Sequence, residues 1–108
     1  MMFNTGSSLL DAVVLSVVAK DEEGTYGYKI TQEVRTVLEV SETALYPVLR
    51  RLQTNGLLET YDKAFSGRNR RYYKITPQGL QELGRYRSEW VAYCTKINAI
   101  LMHSKEEG

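Results

Sequence analysis

Residues 41–77 read SETALYPVLRRLQTNGLLETYDKAFSGRNRRYYKITP, and the fold turns on this stretch. Leu45, Val48, Leu49 and Leu52 recur at three- and four-residue spacing, the buried face of a helix. That helix starts around Ser41 or Thr43 and runs to Gln53, with Asn55-Gly56 as its C-terminal stop. Pro47 lies within it and lacks a backbone donor, so an irregular or kinked N-terminal turn is expected. Two strand-like runs follow, Gly56–Tyr61 and Arg70–Thr76. In the second, Tyr73 and Ile75 alternate with Arg70, Tyr72 and Lys74, the pattern of a half-buried strand. Ala64–Asn69 between them reads as a hairpin tip. Thr76-Pro77 then ends the strand and opens a last helix, Thr76 as N-cap and Pro77 in the first helical position.

Upstream of this block, Ser7 and Ser8 offer an N-cap to Leu9, Leu10, Val13, Val14, Val17 and Val18. This first helix stops near Lys20 and is apolar around much of its circumference, which places it in the middle of the fold. Thr25 caps a second helix from about Tyr26 to Leu38, with Ile30, Val34 and Val37 facing inward. Gly27 in its first turn marks either a close approach to another backbone or a plain loop glycine. Downstream, the last helix extends from Pro77 to about Met102, about 39 Å at the standard rise. Leu80, Leu83, Trp90, Cys94, Ile97 and Leu101 line it at three- and four-residue steps, and Tyr86, Tyr93 and Ile100 widen the stripe. A rod of that length with such a seam calls for another helix against it, and a second copy of the chain is the economical partner.

Composition narrows the function. The chain has 108 residues, 43% hydrophobic and 25% charged, which fits one ordinary globular domain with a thin core. Its net charge of +1 is an average. Residues 1–49 carry three basic and seven acidic side chains, residues 50–74 seven basic and two acidic, and residues 75–108 four of each. Half of the positive charge therefore sits in the end of the third helix and the hairpin, a clue toward nucleic acid. One cysteine, Cys94, excludes an internal disulfide and points to a reducing compartment. With a single histidine, His103, near the end of the chain, no Cys/His zinc site is expected, and neither a catalytic triad nor a glycine-rich phosphate loop emerges. No metal, cofactor, secretory leader or membrane span is expected.

The second and third helices, joined by Glu39-Val40-Ser41, form a helix-turn-helix whose second member can enter a major groove. Beside it the hairpin carries Arg68, Arg70, Arg71 and Lys74 around a glycine-containing tip, suited to a phosphate backbone or a narrow minor groove. Such a charge run is otherwise a solvated face; its coupling to the helical pair favours binding.

These residues resemble the PadR family of winged-helix transcriptional regulators. The resemblance rests on Glu42-Thr43-Ala44-Leu45-Tyr46-Pro47 with Leu49-Arg50-Arg51-Leu52, then Asn55-Gly56-Leu57-Leu58, then Gly67–Thr76, closed by Gly79. It covers roughly residues 8 to 101. The single long C-terminal helix is similar to the compact branch of the family, which includes the multidrug-binding regulator of lactic acid bacteria. The resemblance implies a mainly α chain with a small β-hairpin, a winged helix-turn-helix over residues 1–76 and a dimerisation helix and tail over 77–108. It further implies a cytoplasmic homodimer that binds an inverted-repeat operator and represses. Carried over by position, Ser41, Thr43, Tyr46 and Arg50 face DNA, Tyr28 and Lys29 touch the backbone, and Arg68, Arg70 and Lys74 serve the wing. Arg71 and Tyr73 alternate onto the inner face, Arg71 for an internal ion pair and Tyr73 for packing. Leu83, Tyr86, Trp90, Tyr93, Cys94, Ile97 and Leu101 form the dimer seam. Trp90 either lines a pocket for a small aromatic effector or only packs that seam; the second tryptophan of the compact branch, in the first helix, is absent. The competing expectation is a winged helix used for protein–protein contact without DNA.

Overall fold

In the computed structural model, residues 6–103 are described, and residues 104–108 of the expected tail lie outside them. The chain forms α1 (Ser7–Ala19), β1 (Thr25–Tyr26), α2 (Gly27–Val34), α3 (Glu42–Thr54), β2 (Leu58–Phe65), β3 (Arg68–Ile75) and α4 (Pro77–Leu101). The three strands make one antiparallel sheet in the order β1-β3-β2. The result is the expected α-rich winged helix-turn-helix, with one strand more than a bare hairpin.

The ends of the elements show which local signals governed. Gly6, not Ser7 or Ser8, occupies the N-cap of α1, and no side-chain cap bond forms there. Thr25 does not cap α2: it pairs with Tyr73 in the sheet, and Tyr26 takes the N-cap. Sheet pairing has won over capping. α2 ends at Val34 rather than Leu38, and Val37 is 68% exposed instead of facing inward. Leu38, four residues beyond Val34, continues the buried stripe while the chain turns toward α3.

Helix α3 runs unbroken through Pro47. Ser41 is its N-cap, accepting a bond from the Ala44 amide at 3.1 Å. At its far end the Leu57 amide donates to the Leu52 carbonyl and the Gly56 amide to Gln53, with Gly56 at φ +79°. That pair of bonds is the Schellman closure, and it requires a residue tolerant of positive φ. The chain passes directly into β2. The wing tip is tighter than the expected six residues: Phe65 pairs with Arg68, so only Ser66 and Gly67 turn, at φ +50° and +79°. Positive φ at both positions matches the right-handed twist of the flanking strands.

The core gathers Val14, Leu15 and Val18 of α1, Ile30 and Val34 of α2, Leu45, Leu49 and Leu52 of α3, Leu58 and Tyr73 of the sheet, and Leu83 of α4. α1 therefore sits centrally, as its all-round apolar surface requires. Thr76 fastens the base of the wing to α4: its hydroxyl donates to the Gly56 carbonyl at 2.7 Å and accepts from the Gly79 amide at 2.9 Å. Among the described residues no helix is long and apolar enough to cross a membrane.

Candidate nucleic-acid interface

The N-terminal turn of α2, the outer face of α3 and the strand β3 meet around one cleft of about 400 Å³. Tyr26, Gly27, Tyr28, Tyr46, Arg70, Arg71 and Tyr73 line it. Gly27 is neither a plain loop glycine nor pressed against another backbone: it is buried in the first turn of α2, next to two tyrosine side chains. A Cβ at Gly27 would stand 3.3 Å from the Tyr46 ring and 3.6 Å from the Tyr73 ring. Burial pushes the Tyr73 phenol above its ordinary range, against the pull of the Arg71 charge. It stays neutral as a packing group, while Tyr28 and Tyr46 remain exposed at the mouth.

At the start of α3 and along it, Ser41, Thr43, Tyr46 and Arg50 are all exposed, while Leu45, Leu49 and Leu52 are buried. The Ser41 hydroxyl, engaged as cap, also lies 3.3 Å from the Thr43 hydroxyl. The Arg50-Arg51 dipeptide divides. Arg50 points outward, whereas Arg51 turns back and pairs with Asp11 of α1, which is buried. Burial raises the Asp11 carboxyl above its ordinary range, and the Arg51 guanidinium and a hydrogen bond with Tyr86 oppose that rise. The link joins residues 40 positions apart, and its trace in the sequence is slight: Arg51 follows the core residue Val48 by three positions, and Asp11 interrupts an apolar helix.

The two faces of the wing differ. Arg71 lies on the same face as Tyr73, but beyond the edge of the core; its ion pair, with Asp62 at 3.7 Å, is exposed rather than internal. On the other face Arg70 stands between two rings, 4.2 Å from the Tyr26 centroid and 4.0 Å from the Phe65 centroid. Tyr72 stacks on Tyr61 at 5.4 Å and meets Tyr26 edge-on at 5.7 Å. Arg68, at the turn, is exposed. The ion pairs among the described residues use Lys20, Arg51, Arg71 and Arg85; Arg50, Arg68 and Arg70 enter none of them.

Two residues expected at this interface sit elsewhere. Lys74 lies opposite Glu59 at the base of the wing, lining a cavity with Glu22 and Leu80. Lys29 faces the end of α1, in a polar recess with Lys20, Asp21 and Glu33. On α4 the expected seam also divides. Leu83 and Tyr86 are 1% and 8% exposed within the single chain, packed into the core beside α1, and offer no surface to a partner. Trp90 is 41% and Leu101 71% exposed, with Tyr93, Cys94 and Ile97 half-buried between them. Trp90 leans on Tyr93 at 6.0 Å.

Known proteins share this fold. A solved protein from Streptococcus mutans UA159 superposes with a TM-score of 0.83 at 32% identity, over 94% of each chain. A PadR-like transcriptional regulator from Bacillus cereus superposes with a TM-score of 0.81 at 30% identity, over 93% of this chain and 98% of that one. Bacillus subtilis PadR, solved in complex with operator DNA, shares the fold at 23% identity and a TM-score of 0.64, over 72% of this chain and 46% of that one. Residues 14–85 match the PadR-like family of transcriptional regulators, and to that family the chain belongs.

Proposed function

We propose that the chain binds double-stranded operator DNA as a homodimer and represses transcription in the cytoplasm. The observation that carries this reading is the convergence of Tyr28, Tyr46 and Arg70, from three separate elements, on one cleft beside the exposed Arg50. In a complex, α3 lies in the major groove with Thr43, Tyr46 and Arg50 toward base edges and phosphates, and Ser41 and Tyr28 hold the backbone. Arg68 and Arg70 extend along the flanking phosphates or into the minor groove. Lys29 and Lys74 take lesser parts, as long-range positive charge. The solved operator complex of Bacillus subtilis PadR supports the same use of this fold.

Residues 1–76 form the DNA-reading unit in this proposal and 77–108 the dimerisation helix, joined through Thr76. A flat aromatic effector stacking on Trp90 within the dimer seam completes it. The chain has no catalytic role in this reading.

Labelled duplexes from the chain's own upstream region, titrated across a salt series, test the proposal. Each phosphate contact contributes a slope of about 0.9 in log affinity against log salt, so Arg68→Ala with Arg70→Ala should lower the slope by about 1.8. An unchanged slope removes the wing from the interface. Failure of the wild-type protein to retain any duplex selectively removes the function itself.

A further inference from the structure

The wing arginine Arg70 is unlike its neighbours: residues 61–69 and Arg71 are all exposed, whereas Arg70 is half-buried in this outer part of the hairpin. The sheet register explains why. Arg70 and Lys63 are directly paired, so Phe65 on β2 is diagonal to Arg70 on one side. Tyr26 pairs with Tyr72, so Tyr26 on β1 is diagonal to Arg70 on the other. Diagonal neighbours on one face of a sheet are within reach of aromatic and long side chains. The guanidinium carbon accordingly sits 4.2 Å from one ring centroid and 4.0 Å from the other.

We propose that Phe65 and Tyr26 are positioning residues that clamp Arg70 in the pose used on DNA. The proposal rests on the DNA-binding function argued above. A guanidinium is planar and stacks its faces on rings while its N–H groups remain in the plane. Two rings therefore orient the plane and leave the donor edge available to phosphate or base. Without them Arg70 would order its rotamers only on binding; with them that ordering is complete beforehand. Phe65 needs such a reason, because it is a 51% exposed phenylalanine beside the turn and outside the core. Tyr26 adds a second constraint. It is the N-cap residue of α2, so the clamp joins the tip of the wing to the start of the helix-turn-helix. Tyr72, edge-on to Tyr26, and Tyr61, stacked on Tyr72 and bonded to the Glu23 carbonyl, brace the row from behind.

The experiment is a double-mutant cycle on a labelled duplex that the wild-type protein has selected from a random-sequence pool. Phe65→Leu should weaken binding about three- to tenfold in the wild-type background and have no effect in an Arg70→Ala background. Phe65→Trp should restore it, and Tyr26→Leu should behave as Phe65→Leu does. In the free protein, the Arg70 side-chain proton resonances should be shifted upfield by the rings and lose that shift in Phe65→Leu, with the unfolding midpoint nearly unchanged. Losses that add independently to that of Arg70→Ala, or Arg70 resonances without an upfield shift, overturn the clamp and leave the DNA-binding reading standing. Arg70→Ala binding as tightly as wild type overturns Arg70's place in that reading and the clamp with it.

Discussion

At the scale of single residues, the two glycines of α4 show how much depends on what stands beside a Cβ. Gly79, in its first turn, is buried, and a Cβ there would stand 2.2 Å from the Leu57 carbonyl oxygen and 2.7 Å from the Ile75 side chain. The obstruction is backbone at the base of the wing, so no rotamer change relieves it. Gly84, five residues on, has nothing within 4 Å of the same position and is exposed. The same substitution therefore has opposite signs. Gly79→Ala should destabilise by about 3 kcal/mol, moving the unfolding midpoint down by more than about 10 °C. Gly84→Ala removes a flexible residue from a helix interior and should stabilise by up to about 1 kcal/mol. Thermal unfolding of both variants checks the pair, and a Gly79→Ala protein as stable as wild type would contradict the packing at Leu57.

At the scale of elements, what could be read from the sequence follows the range of the forces that set it. The Asn55-Gly56 stop and the Thr76-Pro77 start were legible because caps are local, and both are observed with their bonds. The α3 face was legible because four leucines and valines keep one period. β1 was not: two residues carry no alternation, and its partner, Tyr72-Tyr73, lies far along the chain. The two-residue wing tip is not legible because Ser66, unlike glycine, gives no local sign of positive φ. Arg70 was legible as a wing cation, but the rings that bracket it come from two other strands. The Asp11 link among α1, α3 and α4 is likewise long-range, and it makes an acid-side prediction. Because burial outweighs the attraction of Arg51, the folded chain holds the Asp11 proton more tightly than the unfolded chain does. The folded state then binds more protons from about the ordinary value of 3.8 upward, so Asp11's contribution is largest below that pH and is lost as pH rises through the raised folded value. Urea midpoints of wild type and Asp11→Asn across the acid range should show wild type losing ground to the variant as pH increases. A difference growing with pH would mean that the Arg51 pair dominates.

At the scale of the whole molecule, the shape is elongated for a chain of this length. Its radius of gyration is 16.6 Å and its longest extent 64 Å, where a compact chain of about 100 residues has a radius near 13 Å. The excess is α4, which touches the core as far as Tyr93 and carries Trp90, Val91, Ile100 and Leu101 exposed along its outer half. The apolar period marks the stripe, but period alone does not say whose surface covers it: the chain's own core takes Leu83, Tyr86 and part of Tyr93, and Trp90, Val91, Ile100 and Leu101 stay exposed. A second copy, reading a second half-site about 34 Å away, gives that outer half a use that one protomer cannot. Ile97→Glu with Leu101→Glu tests this without touching the core, since neither residue belongs to it. Wild type should sediment as a dimer and the double variant as a folded monomer with cooperative unfolding. Losing the second half-site should weaken operator binding at least about 100-fold. Trp90 supplies a second signal from the same samples. Its emission should shift to the red in the monomer, and flat aromatic compounds should quench it with saturation only in the dimer. A wild-type monomer, or a double variant that remains dimeric, would place the interface elsewhere and leave the outer half of α4 without the role assigned to it.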